Sequence, residues 1–341
     1  MLKKLSLSVL VASSLILVGC SKSSDTTTEA KAVNSSTAPI RIAYSEWPGS
    51  LAWEVAKAKG WFEEAGLNVQ LEWFSDYNAS IQAFLAGKID GASVANGDNF
   101  MLSSQGVNGS IILVNSMSTG NDIIIAKPGI ESVKELAGKT VAFEKGLVSE
   151  LFFTTAMENE GQDPSKVKVV NAVTQELSQV FNTPGIDAIT LWHPFGLQAL
   201  KAVPGSKVIY DSSKTPGLIY DVLSVNLPNI EKRKDEWTKL IVVWDKIVKY
   251  LEDPATRADG IKIMADRAEI KPEQLENLMA GTTLLDLEDN KKVFVKGDGL
   301  DSLYGSSYNV NKFNMRVGIY SESPVVENTI YPHLVNAAQA E

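Results

Sequence analysis

Arg41-Ile42-Ala43-Tyr44-Ser45-Glu46-Trp47-Pro48-Gly49, Leu51-Ala52-Trp53-Glu54-Val55-Ala56-Lys57-Ala58-Lys59-Gly60 and Asn68-Val69-Gln70-Leu71-Glu72-Trp73-Phe74 follow one another near the start of the 341-residue chain, and the fold turns on them. The first is a short strand that stops at Pro48-Gly49. The second reads as a helix over 51–59, ended by Gly60. The third alternates polar and apolar residues, the signature of a strand. Strand, helix and strand with short connections predict a mostly parallel sheet covered on both faces.

The pattern continues in both directions along the chain. A helix is expected over 79–86 and strands over 89–95 and 110–117, the former broken by Asn96-Gly97-Asp98. It restarts with a strand over 122–126. Further strands are expected over 139–143, 167–173, 186–192 and 207–210, with helices between them, and the strand over 217–225 returns to the first unit. The last third is helical over 231–251, 254–267 and 272–280, with Trp237, Leu240, Ile241, Trp244 and Ile247 at helix-face spacing. The expected fold is α/β with two lobes, each a mostly parallel sheet flanked by helices. One lobe comprises 40–126 and 217–341, the other 127–216, and two crossover hinge segments join them. About 300 residues are large for a single core, which also argues for two lobes.

At the N-terminus, Lys3 and Lys4 precede an apolar run over 5–18 that is too short for a permanent span. It reads as a secretory signal over 1–19. Leu17-Val18-Gly19-Cys20 resembles a bacterial lipobox, and Cys20 is the single cysteine, so lipidation there and no intramolecular disulfide are expected. Residues 20–39 carry almost no large apolar side chain and read as a flexible tether. The expected location is extracytoplasmic, anchored to the membrane by lipid.

The formal net charge is −9, and loss of Lys3 and Lys4 with the leader would make it more negative. No basic stripe with interleaved aromatics is present, which disfavours nucleic acid as a partner. Phosphate-binding and nucleotide-binding glycine motifs are missing, as is the Gly-x-Ser-x-Gly elbow. The two histidines, His193 and His333, offer little for a triad or a metal cluster. The acidic run 286–290 lacks the spacing and glycine of a calcium loop and reads as a solvated loop. An enzyme, a metal and a cofactor are not expected.

Ligands of open α/β sheets sit beyond the carboxyl ends of the strands. The residues there are Glu46 and Trp47, Asp76, Asn96 and Asp98, Asn121 and Asp122, Glu144, Trp192 and His193, and Asp221. Asp76 and Asp98 are equally suited to capping helices. Carboxylates and aromatic faces without lysine or arginine suit a small planar cation, since an oxyanion would need basic groups or helix N-termini. The expected ligand is a small cationic or polar nitrogen compound, guanidine first, with amidines and urea behind it.

The segments 52–67 (Lys59-Gly60-Trp61-Phe62 and Ala65-Gly66-Leu67), 86–92, 132–142 (Leu136-Ala137-Gly138-Lys139-Thr140-Val141) and Gly185-Ile186-Asp187-Ala188 resemble, in order and spacing, the nitrate/sulfonate/taurine-type solute-binding proteins of ABC importers. The resemblance implies a periplasmic-binding-protein fold with the ligand in the cleft. It also implies an ABC permease with its ATPase as partner, and a monomeric binding protein. Trp47-Pro48-Gly49, Asn96-Gly97-Asp98 and Gly120-Asn121-Asp122 are similar to signatures of a subgroup for urea- and guanidine-type compounds. The alternatives are a sulfonate, taurine or nitrate ligand, or a thiamine-pyrimidine-precursor-type protein on the same fold.

Overall fold

The computed structural model describes residues 38–107 and 109–339; the signal segment, Cys20 and all but the last two residues of the expected tether lie outside the described residues. The strands are β1 (Ile40–Tyr44), β2 (Val69–Trp73), β3 (Gly91–Ala95), β4 (Gly109–Ser118), β5 (Asp122–Ala126), β6 (Thr140–Phe143), β7 (Lys168–Asn171), β8 (Ala188–Trp192), β9 (Lys207–Asp211), β10 (Tyr220–Asn226) and β11 (Thr282–Leu284).

They form two sheets, in the orders β11-β4-β10-β3-β1-β2 and β7-β6-β8-β5-β9. In the first sheet β1 pairs parallel with β2 and β3, while β10 lies antiparallel between β3 and β4. In the second, β6 pairs parallel with β7 and β8, and β5 lies antiparallel between β8 and β9. Each sheet therefore keeps a parallel core with one reversed strand inside it. Those two strands are the ones that follow the crossings between the sheets: β4 leads across into β5, and β9 leads back into β10. Helices flank both sheets, as expected.

Some sequence expectations need correction. The strand 122–126, counted with the first lobe, hydrogen-bonds to β8 and β9 and belongs to the second sheet. Asn96-Gly97-Asp98 does not merely break a strand; it is the first turn of the helix Asn96–Ser104. The acidic run 286–290 is the start of the helix Leu287–Val293, capped by Asp286. Within it Asn290 is fully buried and clamps β4, accepting from Val114 N at 2.7 Å and donating to Val114 O at 2.9 Å. The short edge strand β11 was not foreseen.

The helix Lys234–Glu252 buries the predicted face, Trp237, Leu240, Ile241, Trp244 and Ile247. Trp244 packs on Trp53 with ring centroids 4.6 Å apart, and its indole donates to Leu285 O at 2.9 Å. This locks the C-terminal helices onto the first sheet and fixes the carboxyl ends of its strands.

Candidate functional site

The carboxyl ends of β1, β3 and β8 and the first residues of β5 and β10 meet around a cavity of about 30 Å³. That is two to three times the minimum for one water, so it suits a ligand of few heavy atoms. Trp47, Tyr77 and Trp192 form aromatic walls, with Asp122 and Asp221 as carboxylates; Ser45, Ser50, Ser93, Val148 and Ile219 fill the gaps. No lysine, arginine or histidine lines it.

Asp221 is the second residue of β10 and faces Ser116 of β4 in register. Ser116 Oγ donates to Asp221 Oδ2 at 2.8 Å and accepts from Trp47 Nε1 at 3.0 Å. Gly49 makes this chain possible, because a Cβ there would come within 2.3 Å of Ser116 Oγ. Burial pushes the Asp221 carboxyl well above its ordinary range; the Ser116 bond opposes this, and Asp122 and Asp98 add to it.

Asp122 starts β5, opposite Trp192 in β8. Its Oδ2 is buried without a hydrogen-bond partner. Burial raises its carboxyl to about 7, against a smaller opposing effect of the Ser118 hydroxyl. An unpaired buried carboxylate is costly unless a donor arrives. Ser93 Oγ, also on the wall, is likewise unpaired.

Tyr77 spans the two sheets. It meets Trp192 edge-on, with centroids 5.7 Å apart. Its hydroxyl accepts from Ala95 N at 2.9 Å and donates to Asp98 Oδ2 at 2.7 Å. Asp98 thus lies behind the aromatic wall and not on it, beside the start of the helix Val148–Asn159. Burial brings its carboxyl to about 7; Tyr77 opposes the rise, and Glu144 and Asp122 add to it.

Trp47, Asp122, Trp192 and Asp221 of the sequence-predicted set come together at the cavity. The others stand off its wall; most have a structural partner or an outward aspect, and His193 Nδ1 is buried without a hydrogen-bond partner. Glu46 is half-buried and lies in the field of Arg267 and Glu269. Asp76 caps the helix Tyr77–Leu85 by accepting from Ala79 N at 3.2 Å. Asn96 donates to Ser306 Oγ at 3.0 Å. Asn121 donates to Leu278 O and Thr282 Oγ1, both at 2.7 Å. Glu144 accepts from Thr174 N and Oγ1 at 3.1 and 2.9 Å. His193 donates its backbone N–H to Asn121 O at 3.0 Å, and burial lowers its imidazole to about 4, leaving it neutral at pH 7.

Tyr77, Ser93 and Ser116 were not among the residues that sequence reasoning placed at the site. A serine inside an apolar strand was the signal available for the two serines. Among the described residues no group of three His, Cys, Asp or Glu side chains is placed to hold a metal.

The family described as NMT1/THI5 like matches residues 47–254, which include most of the cavity wall. The chain belongs to the NMT1/THI5-like family. A relative from Brucella abortus, named as a binding protein, is 26% identical over 168 residues. That alignment covers 49% of this chain and 52% of the relative, so the chain spans about half the length of the curated relatives it matches. Solved structures share the fold. The periplasmic aliphatic sulphonate binding protein of Escherichia coli superposes with a TM-score of 0.72 at 16% identity, covering 86% of this chain and 92% of that one. The ligand-binding component of an ABC-type import system from Staphylococcus aureus gives 0.73 at 15% identity, covering 89% and 100%. The fold of this family member is the periplasmic-binding-protein fold.

Proposed function

We propose that this protein is an extracytoplasmic solute-binding component of an ABC importer, and that its ligand is a small nitrogen cation of the guanidinium type. The residues around the first sheet, 40–118 and 220–339, act as one lobe and those around the second sheet, 122–211, as the other. The ligand is held between them, and the closed form delivers it to a permease driven by an ATPase. Cys20 carries the lipid that keeps the protein at the membrane.

The observation that carries the ligand class is the unpaired, buried Oδ2 of Asp122 facing a cavity that also holds Asp221 and three aromatic side chains. A planar cation would offer paired N–H donors to the carboxylates and its faces to the rings. Its hydration would be exchanged for fixed partners, and that difference in affinity is what would favour the closed state. An anion would meet two carboxylates and no basic side chain.

The sulfonate reading rests on the structural likeness to the Escherichia coli sulphonate binding protein. Thermal unfolding of the purified protein with millimolar guanidinium, acetamidinium, urea, taurine, an alkanesulfonate and nitrate separates the two. A ligand at about 100 times its Kd stabilises by about 2.7 kcal/mol. A rise in Tm with guanidinium or the amidinium is expected. A rise with taurine, the sulfonate or nitrate alone would reject the cation reading.

A further inference from the structure

We propose that Ser116, which does not line the cavity, is the residue that makes the site discriminate all-donor cations from neutral amides such as urea. This rests on the reading of the cavity as a cation site and deepens it.

The argument is an account of donors. The indole N–H of Trp47 is spent on Ser116 Oγ at 3.0 Å, and the single hydroxyl proton of Ser116 is spent on Asp221 Oδ2 at 2.8 Å. The hydroxyl proton of Tyr77 is spent on Asp98 Oδ2 at 2.7 Å. The backbone N–H of Ala95, also on the wall, goes to Tyr77 Oη at 2.9 Å. The donors of Trp47 and Tyr77 therefore point away from the ligand, while the indole N–H of Trp192 is not engaged in this way. What faces the cavity is acceptor oxygen from Asp122 and Asp221, ring surface, and the rotatable hydroxyls of Ser45, Ser50 and Ser93.

A guanidinium or amidinium ion has only N–H donors, so such a wall can satisfy it completely. Urea has the same shape and size but carries a carbonyl oxygen that needs donors. In this cavity its fixed neighbours include the acceptor oxygens of Asp122 and Asp221, and the donors left to it are the hydroxyls of Ser45, Ser50 and Ser93 and the indole N–H of Trp192. A site that leaves a buried polar group unpaired rejects the offending ligand by a large factor. Ser116 holds this polarity in place, since it takes the indole proton out of the cavity and returns its own proton to the carboxylate.

Ser116 is fully buried on β4, and Ser116→Ala introduces no added bulk there. In that variant the Trp47 N–H loses the Ser116 acceptor, and a ligand carbonyl competes for it with Asp221, which the indole also approaches. Asp221 loses a donor and becomes a poorer carboxylate. Calorimetric titrations of wild type and Ser116→Ala with guanidinium chloride and with urea test this. The expected result is a guanidinium Kd about ten-fold weaker and a urea Kd unchanged or tighter, so that the selectivity ratio falls at least about ten-fold. A double variant, Ser116→Ala with Trp47→Phe, removes the freed indole proton and should abolish any gain for urea. Equal weakening of both ligands in Ser116→Ala, or a urea gain that survives in the double variant, would overturn the role of Ser116 while leaving the cation site standing. A wild type that binds a sulfonate and neither of these ligands would overturn both.

Discussion

Asp122 is the residue whose chemistry has most to explain. A carboxyl raised to about 7 by burial keeps its proton just below neutrality, and a cation competes with that proton. Affinity for guanidinium should therefore be level above pH 7 and fall as the pH drops below it, by roughly ten-fold per unit for each proton released. Asp221, which shares the cavity and is raised for the same first reason, would steepen the fall. Asp122→Asn should weaken binding at pH 8 about ten-fold or more and flatten the dependence, as titration calorimetry between pH 5 and 8 would read. The empty protein follows the sign of the same shift. Its folded form holds a proton that the unfolded chain has released, so this group makes stability decline as pH rises from about 4 to 7. The chain already holds one guanidinium by comparable means. Arg267 lies 3.8 Å from the Trp73 ring centre and donates to Tyr44 Oη at 3.1 Å, beside Glu54. At this scale Trp47, Asp122, Trp192 and Asp221 were legible because they directly flank apolar strands. Asn96, Asp98, Asn121 and Glu144 satisfied the same rule. Their partners Ser306, Tyr77, Leu278 and Thr174 lie far off in sequence, so nothing local revealed that they were already engaged.

The crossover between β4 and β5 shows how an element brings the carboxylate to its place. Ser118 and Ser212, one on each crossing segment, share a 2.7 Å hydroxyl contact, and Ser212 Oγ accepts from Gly120 N at 2.8 Å. Gly120 has φ +153°, and a Cβ there would be 3.3 Å from Gly281 Cα. Asn121 then fastens the crossing to the turn before β11. Asn121→Ala removes the bonds to Leu278 O and Thr282 Oγ1, while Leu278 O keeps Gly281 N at 3.0 Å. It should cost about 1–2 kcal/mol in a denaturant titration and weaken guanidinium binding, although Asn121 lies off the cavity wall. Gly120-Asn121-Asp122 was read as a ligand signature. Its glycine and asparagine build the crossing, and its aspartate reaches the cavity. The helix Lys234–Glu252 was readable from its apolar period. The helix at Asn96 was hidden by an Asn-Gly pair that reads as a turn in isolation, and Gly97 packs there against Val310, where a Cβ would approach to 2.9 Å.

Over the whole molecule, the repeated strand-helix-strand order sufficed for an α/β fold with two sheets. It did not reveal the reversed strands β5 and β10, because a fully buried strand looks the same in either direction. These two strands supply the two carboxylates from opposite sheets, so a ligand that bridges them ties the sheets together. At the rim, Arg316 and Glu158 add a partly exposed pair at 2.7 Å, from the helices Leu303–Val317 and Val148–Asn159, which contributes little energy by itself. The most direct test is titration calorimetry at pH 8 with guanidinium chloride, on wild type and on Asp122→Asn and Asp221→Asn, repeated with taurine and nitrate. The account predicts saturable one-to-one binding of guanidinium, loss of about ten-fold or more in each variant, and no heat from the anions. Saturable binding of taurine or nitrate, with guanidinium silent and both variants unchanged, would contradict it.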